Sequence, residues 1–460
     1  MMNISNQTVR DLKIAYIGGG SRGWAWGLMT DLAKAEDLSG EVFLYDIDYQ
    51  AAKNNAIIGN SIRDTYPQAN NFVYSAVETL EQALQNADFV IISILPGTFD
   101  EMESDVHAPE KYGIYQSVGD TVGPGGIVRS LRTIPMFEII AEAIQKNCPN
   151  AWVINYTNPM TVCIRTLYRV FPGIKAFGCC HEVFGTQNFL ANILKEQGYD
   201  GVNRQEIKVN VLGINHFTWL TSAHYKNQDL FPIYREYCMK HRVSDQSDHN
   251  WMNRFFKSHE MVKMDLFLRY GAIAAAGDRH LAEFCPGKWY LKDPETVSQW
   301  GFNLTPVSWR KNDLQERLKK SSDLLSGQQK FELKETGEEG VLQIRAILGL
   351  EDLVTNVNLP NYGQIPNVPL GTVVETNAHF TAGKVTPVMA GNIPANVMTL
   401  MAQTIMNQNC VVEAGLKRDL DLAFVAFSKD PLVTTSLDDT KMLFDEMIHN
   451  TESYLKDYFK

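Results

Sequence analysis

The sequence predicts an α/β protein, with a doubly wound, Rossmann-type domain over residues 1–205 and a mixed α+β domain over 206–460 that completes the site. Three observations carry this. A short apolar strand runs straight into a glycine-rich turn and a helix; short apolar runs then keep alternating with helical segments; and the polar motifs sit just past the ends of those runs. In an open parallel sheet, the carboxyl ends of the strands are the edge where ligands bind.

Residues 13–17 form the first strand, followed by Gly18-Gly19-Gly20-Ser21-Arg22-Gly23 and a helix over 24–34. The glycines allow a tight turn and bring a pyrophosphate to the helix N-terminus, where amides and dipole favour an anion. A second strand, 42–45, ends in Asp46, a little beyond the ~20-residue spacing of a ribose-binding acid. Its charge would repel a 2′-phosphate, which favours NAD over NADP. The cofactor candidates are therefore Gly18, Gly20, Ser21, Gly23 and Asp46. A bare glycine turn with a capping aspartate would not explain strand, turn, helix, strand and acid in that order.

The apolar run 87–95 reads as a buried parallel strand. A helix is expected over 127–146, strands over 151–155 and 174–178, and a helix between them. Further on, 207–212 and 219–223 read as strands flanking Asn215-His216. Helices follow at 234–242, 261–270 and 313–325, then a polar loop over 326–340, a strand at 373–376 and a helical region from Pro394.

The 460 residues are 45% apolar and 21% charged, with a formal net charge of −11. That is an ordinary globular composition, and its sign argues against nucleic acid or an anionic membrane as partner. A local arginine cluster can still attract a small anion. No stretch reaches the ~18 consecutive apolar residues of a membrane helix, and the first residues lack the apolar core of a signal peptide. Seven scattered cysteines do not suit a disulfide framework. A reducing cytoplasm is the expected compartment.

Cys180 and His216 stand in short polar motifs, Gly178-Cys179-Cys180-His181-Glu182-Val183 and Gly213-Ile214-Asn215-His216-Phe217. Thiolate and imidazole suit a soft or borderline divalent metal. A free cysteine also often merely packs, and this spacing is no recognised zinc pattern. The segment 117–129, with four glycines and a proline, reads as a shaped loop whose charged members are Asp120 and Arg129, with Arg132 just beyond. They are substrate anchors or solvated charges at a helix start. In Gly277-Asp278-Arg279-His280, Asp278 is a general base or a helix cap. Tyr270 is a base if acidified, or a packed ring.

Taken together, Gly18-Gly19-Gly20-Ser21, the segment 119–132, Asn158-Pro159, Cys180-His181-Glu182-Val183, Asn215-His216, Gly277-Asp278 and Val374-Glu375-Thr376-Asn377 resemble glycoside hydrolase family 4, the NAD- and metal-dependent glycosidases. The family shares its nucleotide domain with lactate and malate dehydrogenases. Asn158-Pro159 is similar to a motif there, but their catalytic histidine signature has no counterpart in this chain. The Cys-His-Glu-Val form, with 178–187 and 119–132, is most similar to the branch acting on α-galacturonides.

The resemblance implies a glycosidase that departs from the usual carboxylate pair. NAD+ takes a hydride from C3 of the sugar, and the resulting ketone acidifies the C2 proton. A metal held by Cys180 and His216, expected to be manganese, stabilises the enediolate. A base removes the C2 proton, the C1 substituent leaves, water adds and the hydride returns. His181 then protonates the leaving oxygen, and Asp278 is the C2 base with Tyr270 as second choice. Asn158 and Asp120 hold sugar hydroxyls. Arg129, Arg132 or Arg279 meets the carboxylate, which a guanidinium fork suits. Relatives imply a homo-oligomer, dimer or tetramer, with a small glycoside as the only ligand besides the cofactors. Two other readings stand: the same mechanism on a neutral sugar, and a plain NAD-dependent dehydrogenase that would accumulate NADH.

Overall fold

The computed structural model describes residues 2–5, 7–69, 71–241 and 258–460; Arg242, the last residue of one expected helix, lies outside them. Among the described residues the strands are β1 (Asn3–Ser5), β2 (Thr8–Ile17), β3 (Leu38–Tyr45), β4 (Phe72–Ala76), β5 (Phe89–Ile92), β6 (Trp152–Asn155), β7 (Lys175–Gly178), β8 (Ile207–Ile214), β9 (Phe217–Tyr225), β10 (Gln228–Asp229), β11 (Ile273–Ala274), β12 (Leu353–Pro360), β13 (Val373–Thr381) and β14 (Lys384–Pro387).

Strands β4-β3-β2-β5-β6-β7 lie side by side and parallel. The order reverses between β2 and β5, which is the switch point of a doubly wound sheet and the place where such sheets bind ligands. All four residues of β5, Phe-Val-Ile-Ile, are buried, as a strand covered on both faces requires. It is shorter than the expected 87–95 because the chain turns at Pro96-Gly97, where Gly97 has φ 95°.

The first glycine turn and the helix Trp24–Lys34 stand where the sequence placed them. The helix Gly123–Asn147 begins four residues before the expected 127. Pro124 sits in its first turn, where a missing N–H costs nothing. Gly126 packs so closely that a Cβ there would lie 2.4 Å from the Thr121 carbonyl carbon. The expected glycine-rich loop is thus half loop, half helix.

Three strands from beyond residue 350 join the same sheet, β12 lying antiparallel beside β7 and followed by β13 and β14. β12 and β14 were not foreseen. In β12, Leu-Val-Thr-Asn-Val-Asn-Leu-Pro buries both asparagines while Val354 is exposed, so composition alone disguises it. A second, antiparallel sheet carries β8 and β9 as a hairpin with Asn215-His216 at its turn, and β10 and β11 both pair with β9. Among the described residues no helix is long and apolar enough to cross a membrane.

Candidate active site

The carboxyl edge of the parallel sheet gathers the polar motifs. The turn after β2 is pinned by Asn55, whose Nδ2 donates to the carbonyls of Gly19 (2.8 Å) and Ser21 (2.9 Å). Gly18 has φ 92°, and a Cβ there would lie 2.0 Å from the Ser93 carbonyl oxygen. The helix Trp24–Lys34 has Gly23 as its N-cap with no side-chain cap bond, although Ser21 Oγ accepts from Trp24 N at 3.2 Å. Its remaining first-turn amides can take an anion. Asp46 accepts from the amides of Gly20 and Asp48, both at 2.9 Å. Burial nonetheless pushes its carboxyl up.

Asp120, His216 and His280 converge, each offering a ligand atom within 4.8 Å of the others. The loop after residue 117 delivers Asp120, the β8–β9 turn delivers His216 with φ 64°, and the helix Asp278–Glu283 delivers His280. The two imidazoles lie close together, centroids 3.8 Å apart and planes tilted by 35°. The Thr121 hydroxyl donates to Asp120 Oδ1 at 2.7 Å and touches His216 Nδ1 at 2.9 Å. Its one hydrogen goes to the carboxylate, so it accepts from Nδ1–H and leaves the lone pair on His216 Nε2. Among the described residues, His280 Nδ1 is buried without a hydrogen-bond partner.

Burial, then His280, lowers His216 to about 3, so its ring is neutral in the working range. Burial would raise Asp120, but His216, His280, Arg129 and the Thr121 hydroxyl hold it below the usual carboxylate range. Glu182 follows the same pattern: against burial, His280, His216, His181 and the Gly277 amide draw it down to about 2. Its Oε2 accepts from Gly277 N at 2.6 Å, and Oε1 lies 3.7 Å from His280 Nε2. Two neutral nitrogens and an ionised carboxylate form a donor set for a divalent cation.

Cys180 is not in that trio. Its thiol lies against Asn215 and is raised by burial, then by the charges of Glu375 and Glu182. Behind it, Glu375 accepts from Asn356 (2.7 Å) and Asn215 (3.3 Å). His181 is exposed at the start of the helix Glu182–Glu196, and its Nδ1 lies 3.2 Å from Glu338 Oε1. That bond raises its pKa. Asn158 donates to Asp120 Oδ2 at 3.3 Å, its carbonyl accepts from Arg129 Nε at 3.2 Å, and its Oδ1 is buried without a partner among the described residues.

Asp278 and Tyr270 point elsewhere. The Asp278 carboxylate accepts from Lys263 N at 3.0 Å, at the start of the helix Met261–Tyr270. Burial, then Glu260, raises it to about 7. Tyr270 ends that helix with its ring 5.8 Å from Trp219. Arg132 is fully buried in a two-point ion pair with Asp105, at 3.0 and 2.5 Å. Arg279 donates to the Ser117 carbonyl at 2.8 Å and to the Thr305 hydroxyl.

His280, Glu182 and Thr121 carry no mark in the sequence as ligands or their supports, although each stands inside one of the polar motifs. Glu338 lay in the polar segment 326–340, where nothing in the sequence marks a partner for His181.

Two family models match the chain: "Family 4 glycosyl hydrolase" over residues 13–196 and "Family 4 glycosyl hydrolase C-terminal domain" over 211–433. An α-galacturonidase of Thermoanaerobacterium saccharolyticum is 64% identical over 99% of this chain and 98% of its own. A crystallised Bacillus subtilis protein assigned as a glucosidase superposes with TM-score 0.91 at 53% identity, over 95% of this chain and 100% of its own. A 6-phospho-α-glucosidase from gut microorganisms, in complex with NAD and Mn2+, shares the fold alone, with TM-score 0.79 at 18% identity over 96% of this chain and 99% of its own. With both halves matched in sequence, and a switch-point sheet facing a histidine–carboxylate cluster, the chain belongs to the family 4 glycosyl hydrolases.

Proposed function

We propose that the protein hydrolyses α-D-galacturonides with NAD+ and a divalent cation, manganese by preference. The observation that carries the substrate is the 64% identity to an α-galacturonidase along 99% of the chain. The residues present fit both cofactors. Gly18, Gly20, Ser21 and Gly23 line the approach to a helix N-terminus, and Asp46 retains lone pairs for a ribose hydroxyl. Asp120, His216 and the unpartnered Nδ1 of His280 suit a cation that accepts both carboxylate and imidazole. Cys180 is a further ligand candidate, its proton lost only when a cation binds. When bound, NAD+ supplies a reversible hydride acceptor and the cation polarises the sugar oxygens.

The chain's own groups supply binding and proton handling. His181, held by Glu338 and raised in pKa, keeps a proton to give to the leaving oxygen. Asn158 presents its free Oδ1 to a sugar hydroxyl. The Asp278 carboxylate is engaged by Lys263 N and Tyr270 packs on Trp219, so Glu182 is the ionised carboxylate outside the cation set that is available to a C2 proton. Arg132 is spent on Asp105, which leaves Arg129 and Arg279, of the arginines quoted from sequence, on the substrate side.

The test is release of p-nitrophenol from the α-galacturonide, α-glucoside and α-galactoside, each with and without NAD+ and Mn2+ under reducing conditions. Cleavage of the galacturonide only, dependent on both additions, is expected. Cleavage of a neutral glycoside instead would overturn the substrate, and net NADH accumulation would overturn the hydrolase.

A further inference from the structure

Three guanidinium groups on three separate helices lie within electrostatic reach of Asp120. Arg129 comes from Gly123–Asn147, Arg279 from Asp278–Glu283 and Arg310 from the first turn of Val307–Leu325. Asp120 acts electrostatically on all three, and Arg310 repels both Arg129 and Arg279. The chain path fixes this grouping. Arg279 bonds the Thr305 hydroxyl, and Arg310 follows five residues later. Arg279 also bonds Ser117, three residues before Asp120.

Arg310 differs from the others. It is half-buried, and among the described residues no hydrogen bond or ion pair engages it. The nearest acid on its own helix, Asp313, is bonded to Arg317 Nε at 2.6 Å. Asp120 is already shared by Thr121 and Asn158. Of the two further carboxyls that act on Arg279, Glu283 is raised to about 8 by burial and accepts at Oε1 from the amides of Val118 and Gly119, while Glu182 accepts from Gly277 N beside His280. Cations are therefore in surplus here, against a formal net charge of −11 for the whole chain. A half-buried cation without a partner is costly unless an anion completes it.

We propose that Arg310 is the anchor for the substrate carboxylate, and so sets the preference for an anionic sugar. This rests on the galacturonidase reading above. A cofactor phosphate is the other anion within reach of this helix. The position favours the sugar: two turns further on, Arg317 reaches the glycine turn through the Arg22 carbonyl at 3.1 Å, whereas Arg310 stands on the turn nearer Thr305 and Arg279 and within electrostatic reach of Asp120.

The test compares wild type, Arg310→Gln and Arg310→Lys, each loaded with NAD+ and Mn2+. Three quantities are read: kcat/KM on p-nitrophenyl α-galacturonide, thermal-shift affinity for D-galacturonate against D-galactose, and Kd for NAD+. Arg310→Gln should lose about 10²-fold in kcat/KM, chiefly through KM, and lose galacturonate binding, as removal of one side of a fork pair does. Arg310→Lys should fall between, because it keeps charge but not the fork. NAD+ affinity should stay within about twofold. Unchanged KM and galacturonate affinity in Arg310→Gln would overturn the anchor while leaving the substrate reading intact. Weakened NAD+ binding with unchanged galacturonate affinity would reassign Arg310 to the cofactor. A wild type that binds galactose as well as galacturonate would overturn the substrate reading, and the anchor with it.

Discussion

Thr121 has one hydroxyl hydrogen and two neighbours, Asp120 Oδ1 and His216 Nδ1. Because the carboxylate takes the hydrogen, the imidazole is fixed in the tautomer whose Nε2 can bind a cation. Thr121→Val keeps the shape and removes that constraint. Outer-shell partners of this kind are worth about 10–100-fold in metal affinity, so Mn2+ titration followed by electron paramagnetic resonance should show a loss of that size. An unchanged affinity would remove Thr121 from the site. Arg132 behaves differently. Its side chain and that of Asp105 are almost wholly buried and satisfied by each other. Arg132→Ala should cost about 3–5 kcal/mol of stability, whereas a volume-matched apolar replacement of both partners should be near neutral. Urea unfolding distinguishes this brace from a substrate anchor.

At the scale of elements, the switch point between β2 and β5 decides where the cofactor fits, and Gly20 ties its turn to Asp46. A Cβ there would lie 2.7 Å from Ala51 Cβ and 2.8 Å from Asp46 Oδ2, the atom that Gly20 N holds. Gly20→Ala should displace Asp46 and cut NAD+ affinity by about tenfold or more, roughly 1.4 kcal/mol. Fluorescence titration would show it. This element was legible in the sequence because strand, turn and helix are contiguous there, and local rules suffice. The strands β12 and β14 were not: β12 joins the sheet through a long-range pairing with β7 and buries Asn356 and Asn358, and β14 is a four-residue edge strand with no fully buried residue. The same limit applies within the site. Cys180, His216 and Asp120 could be marked by motif, but that His280 rather than Asp278 turns toward His216 depends on the rotation of one six-residue helix. Arg310 sits in a helix with no motif at all, so only the folded chain reveals it.

For the molecule as a whole, the second half serves the first. β12, β13 and β14 extend the nucleotide sheet, and the β8–β9 turn and helix Asp278–Glu283 bring histidines to its carboxyl edge. Redox cofactor and cation candidates therefore share the carboxyl edge of one sheet, as a reaction that passes through an acidified C2 proton requires. That claim is tested most directly by running the hydrolysis of an aryl α-galacturonide in D2O and examining the released sugar by proton NMR. The account expects deuterium at C2 and no cleavage when NAD+ is stripped away. Protium retained at C2, with cleavage undiminished without NAD+, would contradict it.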